Sequence, residues 1–500
     1  MSASSWRRVL MVISAVYLLV QIANVILVGR SIGFGQLLEL GDSTLFIQLS
    51  SKPWLSGELW GGGGIVFGYP VLLKLFGLGF GMLLLQTLGS AAAWLVLGWE
   101  VFRGSHRASV GVVSAGFLMV LSLAPEVSYL HQFIMTDSLG LSGFVVMVAI
   151  MLRLLRTGSQ VACALVIPVA LVWVEIRPTN IVFVLLLSLV AVVWAARSRR
   201  RDIAVLAAGG LLLCAGFAVF HSQQRGQVVT KWVVDVGLDD PEIRAFLVAQ
   251  GMQINETVLS LGDGAGTSGD YAGRTAADPS LREFNKWVED ESLDAYTKWL
   301  LRDPAAFTAD ASRSFAASLP EKPPDFIIVG QEFGKKITPT ARDAVWPIGG
   351  SIGSLAWVRP HLLLGLIVGY TLVLATVVLR LRPKMWRDAR WQTGWLMVYI
   401  LPVHVGVSFF ADTVEVVRHG LGAALQLRVA LVLLIAWSVD ALWVGRNVQP
   451  TVGGRGTSSS TRSSATEGLV ATTVDSDLNS PALPDVDVSR SNSVPSSTRS

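Results

Sequence analysis

The amino-acid sequence predicts an all-α polytopic membrane protein of about ten transmembrane helices, with one mixed extracytoplasmic section and a disordered C-terminal tail. Three observations lead there. Hydrophobic residues make up 52% of the chain and charged residues only 15%, a balance outside that of ordinary water-soluble domains. Apolar runs of near-spanning length recur along the chain. Arg and Lys collect in alternate short connections between those runs. The net charge of +4 is modest, and no nucleic acid partner is expected from it. Cys163 and Cys214 both sit in apolar runs, which leaves no disulfide framework.

The runs cover 9–28, 80–101, 108–124, 138–155, 160–175, 179–196, 202–220, 361–380, 391–410 and 421–444. The basic connections are Arg7 with Arg8, then 103–107, 153–156, 197–201 and 380–390. If every run crosses, these connections share one side, and the positive-inside bias places both termini in the cytoplasm of a multi-pass cell-membrane protein. The first run lacks a small-residue cleavage site and reads as a retained signal anchor.

Next comes the stretch 35–69, the expected floor of an active site. In 37–49 the apolar Leu37, Leu38, Leu45, Ile47 and Leu49 alternate with Glu39, Asp42, Ser43 and Gln48. Such a segment lies along a membrane surface and presents Asp42 at the interface. The glycine run 61–64 reads as a flexible joint, because a phosphate loop needs a preceding strand and a following Lys-Ser/Thr. Residues 66–77 are apolar but short, a re-entrant or interfacial helix opening on Tyr69-Pro70.

The outer connection 125–140 concentrates Glu126, Tyr129, His131 and Asp137. The turn 175–180 sets Arg177 beside hydrocarbon, a costly place without an anionic partner. The long polar section 221–358 contains a Gly-rich piece at 262–273, an expected amphipathic helix at 280–301 bearing Trp287 and Trp299, and a turn at 321–325. Trp346 and Trp357 precede the next run, where interfacial tryptophans are expected. A second charged outer loop carries Asp412, Glu415, Arg418 and His419. From 446 onward Ser, Thr, Gly and Pro dominate, as in a disordered cytoplasmic tail. The sections are therefore 1–220 and 359–445 in the membrane, 221–358 outside, and the tail 446–500.

On this topology Asp42, Glu126, His131, Asp137, Arg177, Asp412, Glu415, Arg418 and His419 share the outer surface. Such a set suits transfer chemistry: a carboxylate takes a proton from an acceptor hydroxyl, while cations or a divalent metal (Mg or Mn) stabilise a departing phosphate. Activated nucleotides are not normally available outside the cytoplasm, so an activated donor there is carried by lipid. Plain structural roles stay open for each residue. Asp42 and Asp137 each suit a helix N-cap, and Arg177 suits a snorkelling anchor. The 412–419 charges suit a local salt bridge, Tyr129 and His131 suit interfacial packing, and His404 in its apolar run reads as structural.

The order of Gly41-Asp42, Tyr69-Pro70, Thr136-Asp137-Ser138-Leu139, Arg177-Pro178-Thr179, Trp299 to Pro304 and Glu415 to His419 resembles the polytopic glycosyltransferases of the GT-C superfamily. That superfamily includes protein mannosyltransferases, aminoarabinose transferases and actinobacterial mannosyl- and arabinosyltransferases. The resemblance spans roughly 1–445. It implies a polyprenyl-phosphate sugar as donor, a cell-envelope glycan, lipid or protein as acceptor, and transfer on the outer face with inversion. It also implies Asp42 as general base, Asp137 assisting through a metal shared with Asp42, and Arg177 with Arg418 or His419 on the lipid phosphate. Tyr69, Tyr129, His131, Asp412 and Glu415 would line the substrates. A single Asp stands at 42 where many members carry a pair, and no large carbohydrate-binding domain follows the last run. The rival readings are a transporter or flippase of a lipid-linked glycan, and a lipid-linked oligosaccharide polymerase or ligase.

Overall fold

The computed structural model describes residues 2–39, 43–62, 67–198, 201–220, 229, 232–262, 278–318, 345–411 and 416–446. The described chain is helical apart from its connections, with one isolated parallel bridge between Leu38 and Phe133. In hydrocarbon every backbone polar group must be satisfied within its own segment, which leaves the apolar runs no alternative to helix.

Helix α1 (Ala3–Ser31) starts on Ser2, whose hydroxyl accepts the Ser5 N–H at 3.2 Å. Two short surface helices follow, α2 (Ser43–Ser51) and α3 (Gly68–Phe76), the latter where an interfacial helix was expected. Then come α4 (Phe80–Gly104), α5 (Ala108–Ser122), the single turn α6 (Pro125–Ser128) and α7 (Thr136–Thr157). After the left-handed Gly158, the Ser159 hydroxyl caps α8 (Gln160–Ile176) by accepting the Ala162 N–H. Helices α9 (Ile181–Ser198) and α10 (Arg201–Phe220) pack on each other.

Each predicted run falls on a helix, yet the expected number of crossings is only partly matched. Among the described residues 5 helices are long and apolar enough to cross a membrane, or 6 if α5 and the segment Pro125–Gln132, bent by 56°, form one broken span. Helix α8 is a shorter apolar helix.

The long polar section contributes α11 (Pro241–Ala249), α12 (Glu256–Gly262), α13 (Arg282–Asp290), α14 (Ser292–Arg302) and α15 (Pro304–Ser318). Asp240 caps α11 by accepting the N–H groups of Glu242 and Ile243 at 2.8 and 3.1 Å. Trp232, Phe284, Trp287 and Tyr296 join in a small core of their own. The single amphipathic helix expected over 280–301 is instead α13 and α14, broken at Glu291. The chain returns through α16 (Gly350–Trp357), α17 (His361–Leu381), α18 (Ala389–Ala411) and α19 (Val416–Arg446).

The core forms where α4 meets α5 and α7, α1 flanks α4 and α5, and α19 packs against α5, α17 and α18. Trp357, expected at the interface, is buried here with the Arg428 guanidinium 4.1 Å above its ring. The aromatic face offers the arginine a partner where hydrocarbon offers none. Two buried acidic groups tie the opposite ends of the helices. Glu100 takes Arg156 at 2.7 Å and Arg103 at 3.3 Å. Asp440 accepts the N–H groups of His106 and Arg107 at 2.7 and 2.8 Å, capping α5 from a distant part of the chain.

Candidate active site

Four segments converge around the N-terminus of α7. The first is 36–43. Leu38 donates its N–H to the Gln132 carbonyl at 3.0 Å and accepts that of Ile134 at 2.9 Å, and the Ser43 hydroxyl donates to the Ile134 carbonyl at 2.7 Å. Asp42 lies outside the described residues, but Leu38 and Ser43 on either side of it are both tied to the connection that leads into Asp137.

That connection, 129–137, is the second segment. Gln86 of α4 donates to the carbonyls of His131 and Phe133 at 3.2 and 3.1 Å, holding it from below. His131 Nδ1 lies 2.7 Å from the Ser138 hydroxyl, and Tyr129 packs on Phe133 with ring centres 5.9 Å apart. Both side chains are buried.

The third segment is α3. A Cβ on Gly68 would stand 2.5 Å from the Glu175 carbonyl oxygen, so only glycine lets α3 approach the end of α8 this closely. Tyr69 is fully buried against Phe46, centroids 5.1 Å apart. Burial holds its phenol protonated well above the ordinary value, and the charge of Asp137 pushes the same way.

The fourth segment ends α8. Arg177 adopts an extended backbone at φ −145°, ψ 112°, which stops the helix and turns its side chain inward. There Arg177 Nη1 donates to Asp137 Oδ1, and both side chains are buried. Trp173 props the arginine: its indole N–H donates to the Gly140 carbonyl at 2.7 Å, and its own carbonyl accepts Arg177 N–H at 3.2 Å and Asn180 Nδ2 at 3.1 Å. A Cβ at Gly143 would lie 2.2 Å from the Trp173 ring, so the indole occupies the space glycine leaves. Beneath the pair, Gly140, Trp173, Arg177, Asn180, His404 and Gly422 line a small cavity of about 20 Å³.

Several sequence expectations are thereby decided in geometric terms. Met135, not Asp137, precedes the first turn of α7, and no side chain caps it; the Asp137 carboxylate turns to Arg177 instead. Arg177 does not snorkel outward, because its partner is inside. His404 lies 2.7 Å from Gln426 Oε1 through Nδ1, in keeping with a structural histidine. Asp412 and Glu415 lie outside the described residues, and of Arg418 and His419 only the helical backbone of α19 is described. For a divalent metal, Asp137 already faces Arg177, and the described residues contain no group of three or more His, Cys, Asp or Glu able to hold one. They therefore offer Asp137 no set of co-ligands.

Sequence reasoning missed a set of buried polar groups. Gln132 reads the backbone of Val345 twice, donating to its carbonyl at 2.6 Å and accepting its N–H at 2.7 Å. Asn24 does the same at Ile348, at 3.3 and 2.6 Å. Together they fasten the chain where it returns from the long polar section. Glu126 receives Arg359 Nε at 2.7 Å, and Arg428 donates to the carbonyls of Trp357, Ala424 and Val358. The available signal was a polar residue inside an apolar run at Asn24, Gln86 and Arg428.

No family model matches the chain, and no curated protein matches it. Two crystal structures of ArnT from Cupriavidus metallidurans are similar: one bound to undecaprenyl phosphate, at 18% identity over 89% of this chain and 79% of that one with a TM-score of 0.27. The other, in the apo state, is 16% identical over 89% and 78% with a TM-score of 0.28. Similarity this low carries no argument about activity.

Proposed function

We propose that the chain is a membrane glycosyltransferase that moves a sugar from a polyprenyl-phosphate donor to a cell-envelope acceptor on the extracytoplasmic face. The observation that supports this most is the buried Asp137–Arg177 pair, formed where the segments flanking Asp42 meet α3 and the end of α8. A guanidinium has five N–H donors in a planar fork, and Asp137 engages one of its nitrogens, so Arg177 retains donors for a phosphate oxygen.

In this reading Asp42 takes the proton from an acceptor hydroxyl as its oxygen attacks the anomeric carbon. The bond from that carbon to the phosphate oxygen breaks, and the electron pair leaves with the polyprenyl phosphate. Arg177, assisted by Arg418 or His419, stabilises the charge that develops on the phosphate. Asp137 acts on the reaction by positioning Arg177. The neutral phenol of Tyr69 and the buried Tyr129 and His131 shape the floor of the site, with Asp412 and Glu415 towards the acceptor.

Arg177→Lys tests the phosphate role, because it keeps the charge opposite Asp137 and removes the fork. Binding of a fluorescent polyprenyl phosphate in nanodiscs should weaken about tenfold or more, the cost of one lost charge-assisted hydrogen bond. Unchanged binding in a folded variant removes Arg177 from the donor site.

A further inference from the structure

A groove unconnected with this chemistry runs between α5 and α19. On α5 it is walled by Val110, Val113 and Phe117, spaced along one face, and on α19 by Ile435, Val439 and Trp443. The groove has a volume of about 390 Å³. Val113 and Phe117 are 67% and 42% exposed. From Ser109 to Phe117 the groove follows α5 for roughly 12 Å at 1.5 Å per residue. One leaflet of hydrocarbon is about 15 Å deep, so its length matches a single acyl chain.

The end of the groove is basic. The Arg107 guanidinium lies 5.0 Å from the Trp443 ring centre and donates to the Trp443 carbonyl at 3.4 Å. Its position is fixed from behind, because Asp440 accepts the backbone N–H of Arg107 at 2.8 Å and that of His106 at 2.7 Å. The Asp440 carboxylate is thus engaged by these backbone groups and by the His106 ring, whose Nδ1 lies 2.9 Å away, and among the described residues no ion pair engages the Arg107 side chain. A cation held on an indole at the end of an apolar slot nearly as long as one leaflet is deep is the arrangement an anionic lipid fits.

We propose that this groove holds one acyl chain of an anionic phospholipid from the leaflet on the Arg107 side, with its headgroup phosphate on Arg107. Charge complementarity selects this occupant over a second copy of the chain, whose α5 would bring a second Arg107 into the same contact. The lipid fills the seam between two helices that pack directly on each other, so it would also stabilise their contact.

The test is quantification of lipids that remain with the purified full-length protein through detergent exchange, by native mass spectrometry with a mixture of phosphatidylglycerol and phosphatidylcholine. Wild type should retain phosphatidylglycerol selectively. Val113→Trp, which fills the slot, should lose the retained lipid. Arg107→Gln should keep lipid but lose about fivefold of the preference for the anionic headgroup, the worth of one basic residue at a membrane surface. Val16→Trp, at another exposed apolar position on α1, should change nothing and controls for a general effect of added indole. Full retention in Val113→Trp, unchanged preference in Arg107→Gln, or a dimer in nanodiscs that buries α5 would each overturn the proposal.

Discussion

Breaking the Asp137–Arg177 pair from either side should cost far more than removing it whole. Arg177→Met leaves the Asp137 carboxylate, 1% exposed, without its cation, and Asp137→Leu leaves the guanidinium without its anion. For a buried pair, deletion of one partner costs about 3–5 kcal/mol, whereas replacement of both by apolar groups of similar volume is often neutral or better. The double variant Asp137→Leu/Arg177→Met should therefore recover most of the loss, giving a coupling energy of about 3 kcal/mol or more. The pair joins α7 to the end of α8, so the deficit should appear in global unfolding. A thiol-reactive fluorophore can follow it through the half-buried Cys163 and Cys214 in nanodiscs, with the four proteins compared in one denaturant series. Single variants that each lose less than about 1 kcal/mol, or losses that add in the double variant, would refute a buried, mutually dependent pair.

Three other outcomes follow from the same physics. Gly143→Ala should displace the Trp173 ring, costing about 1–3 kcal/mol by overpacking and weakening donor binding through Arg177; equilibrium unfolding and the donor-binding assay check it together. Gln132→Leu should strip the Val345 N–H and carbonyl of their side-chain partner, costing about 1–3 kcal/mol, with faster amide exchange at Val345 by mass spectrometry while Ile348, held by Asn24, stays protected. Asp440→Ala should uncap α5 and destabilise the protein by about 1–2 kcal/mol in the same unfolding series.

Much of the fold was legible because lipid leaves the backbone so little choice: apolar runs such as 80–101 and 138–155 emerge as α4 and α7 with ends shifted by a few residues. What periodicity does not encode is where a helix breaks inside a polar section. Residues 280–301 read as one amphipathic helix, yet Glu291 separates α13 from α14. Trp357 shows a different limit. A tryptophan beside an apolar run suits a membrane interface, and only the distant Arg428 makes its face more useful in the core.

Asp137 and Arg177 were legible as residues but not as a pairing. Asp137 and Arg177 stood out because charge is scarce in this chain and both fall on one expected side, while their contact spans 40 positions that no motif connects. Gln132 and Asn24 left still less trace, since a lone amide gives no sign of the backbone it will grip. The capping role of Asp440 is invisible for the same reason, its partners lying 333 and 334 positions away.

Glycosyl transfer itself is tested most directly by incubating the purified protein in nanodiscs with a panel of radiolabelled polyprenyl-phosphate sugars and cell-envelope acceptors, comparing wild type with Asp42→Asn. Transfer by wild type that collapses in Asp42→Asn, with donor binding retained, is the expected result and places Asp42 in the chemical step. If no donor is consumed by wild type, or Asp42→Asn transfers as fast, the assignment of a glycosyltransferase with Asp42 as its base is contradicted.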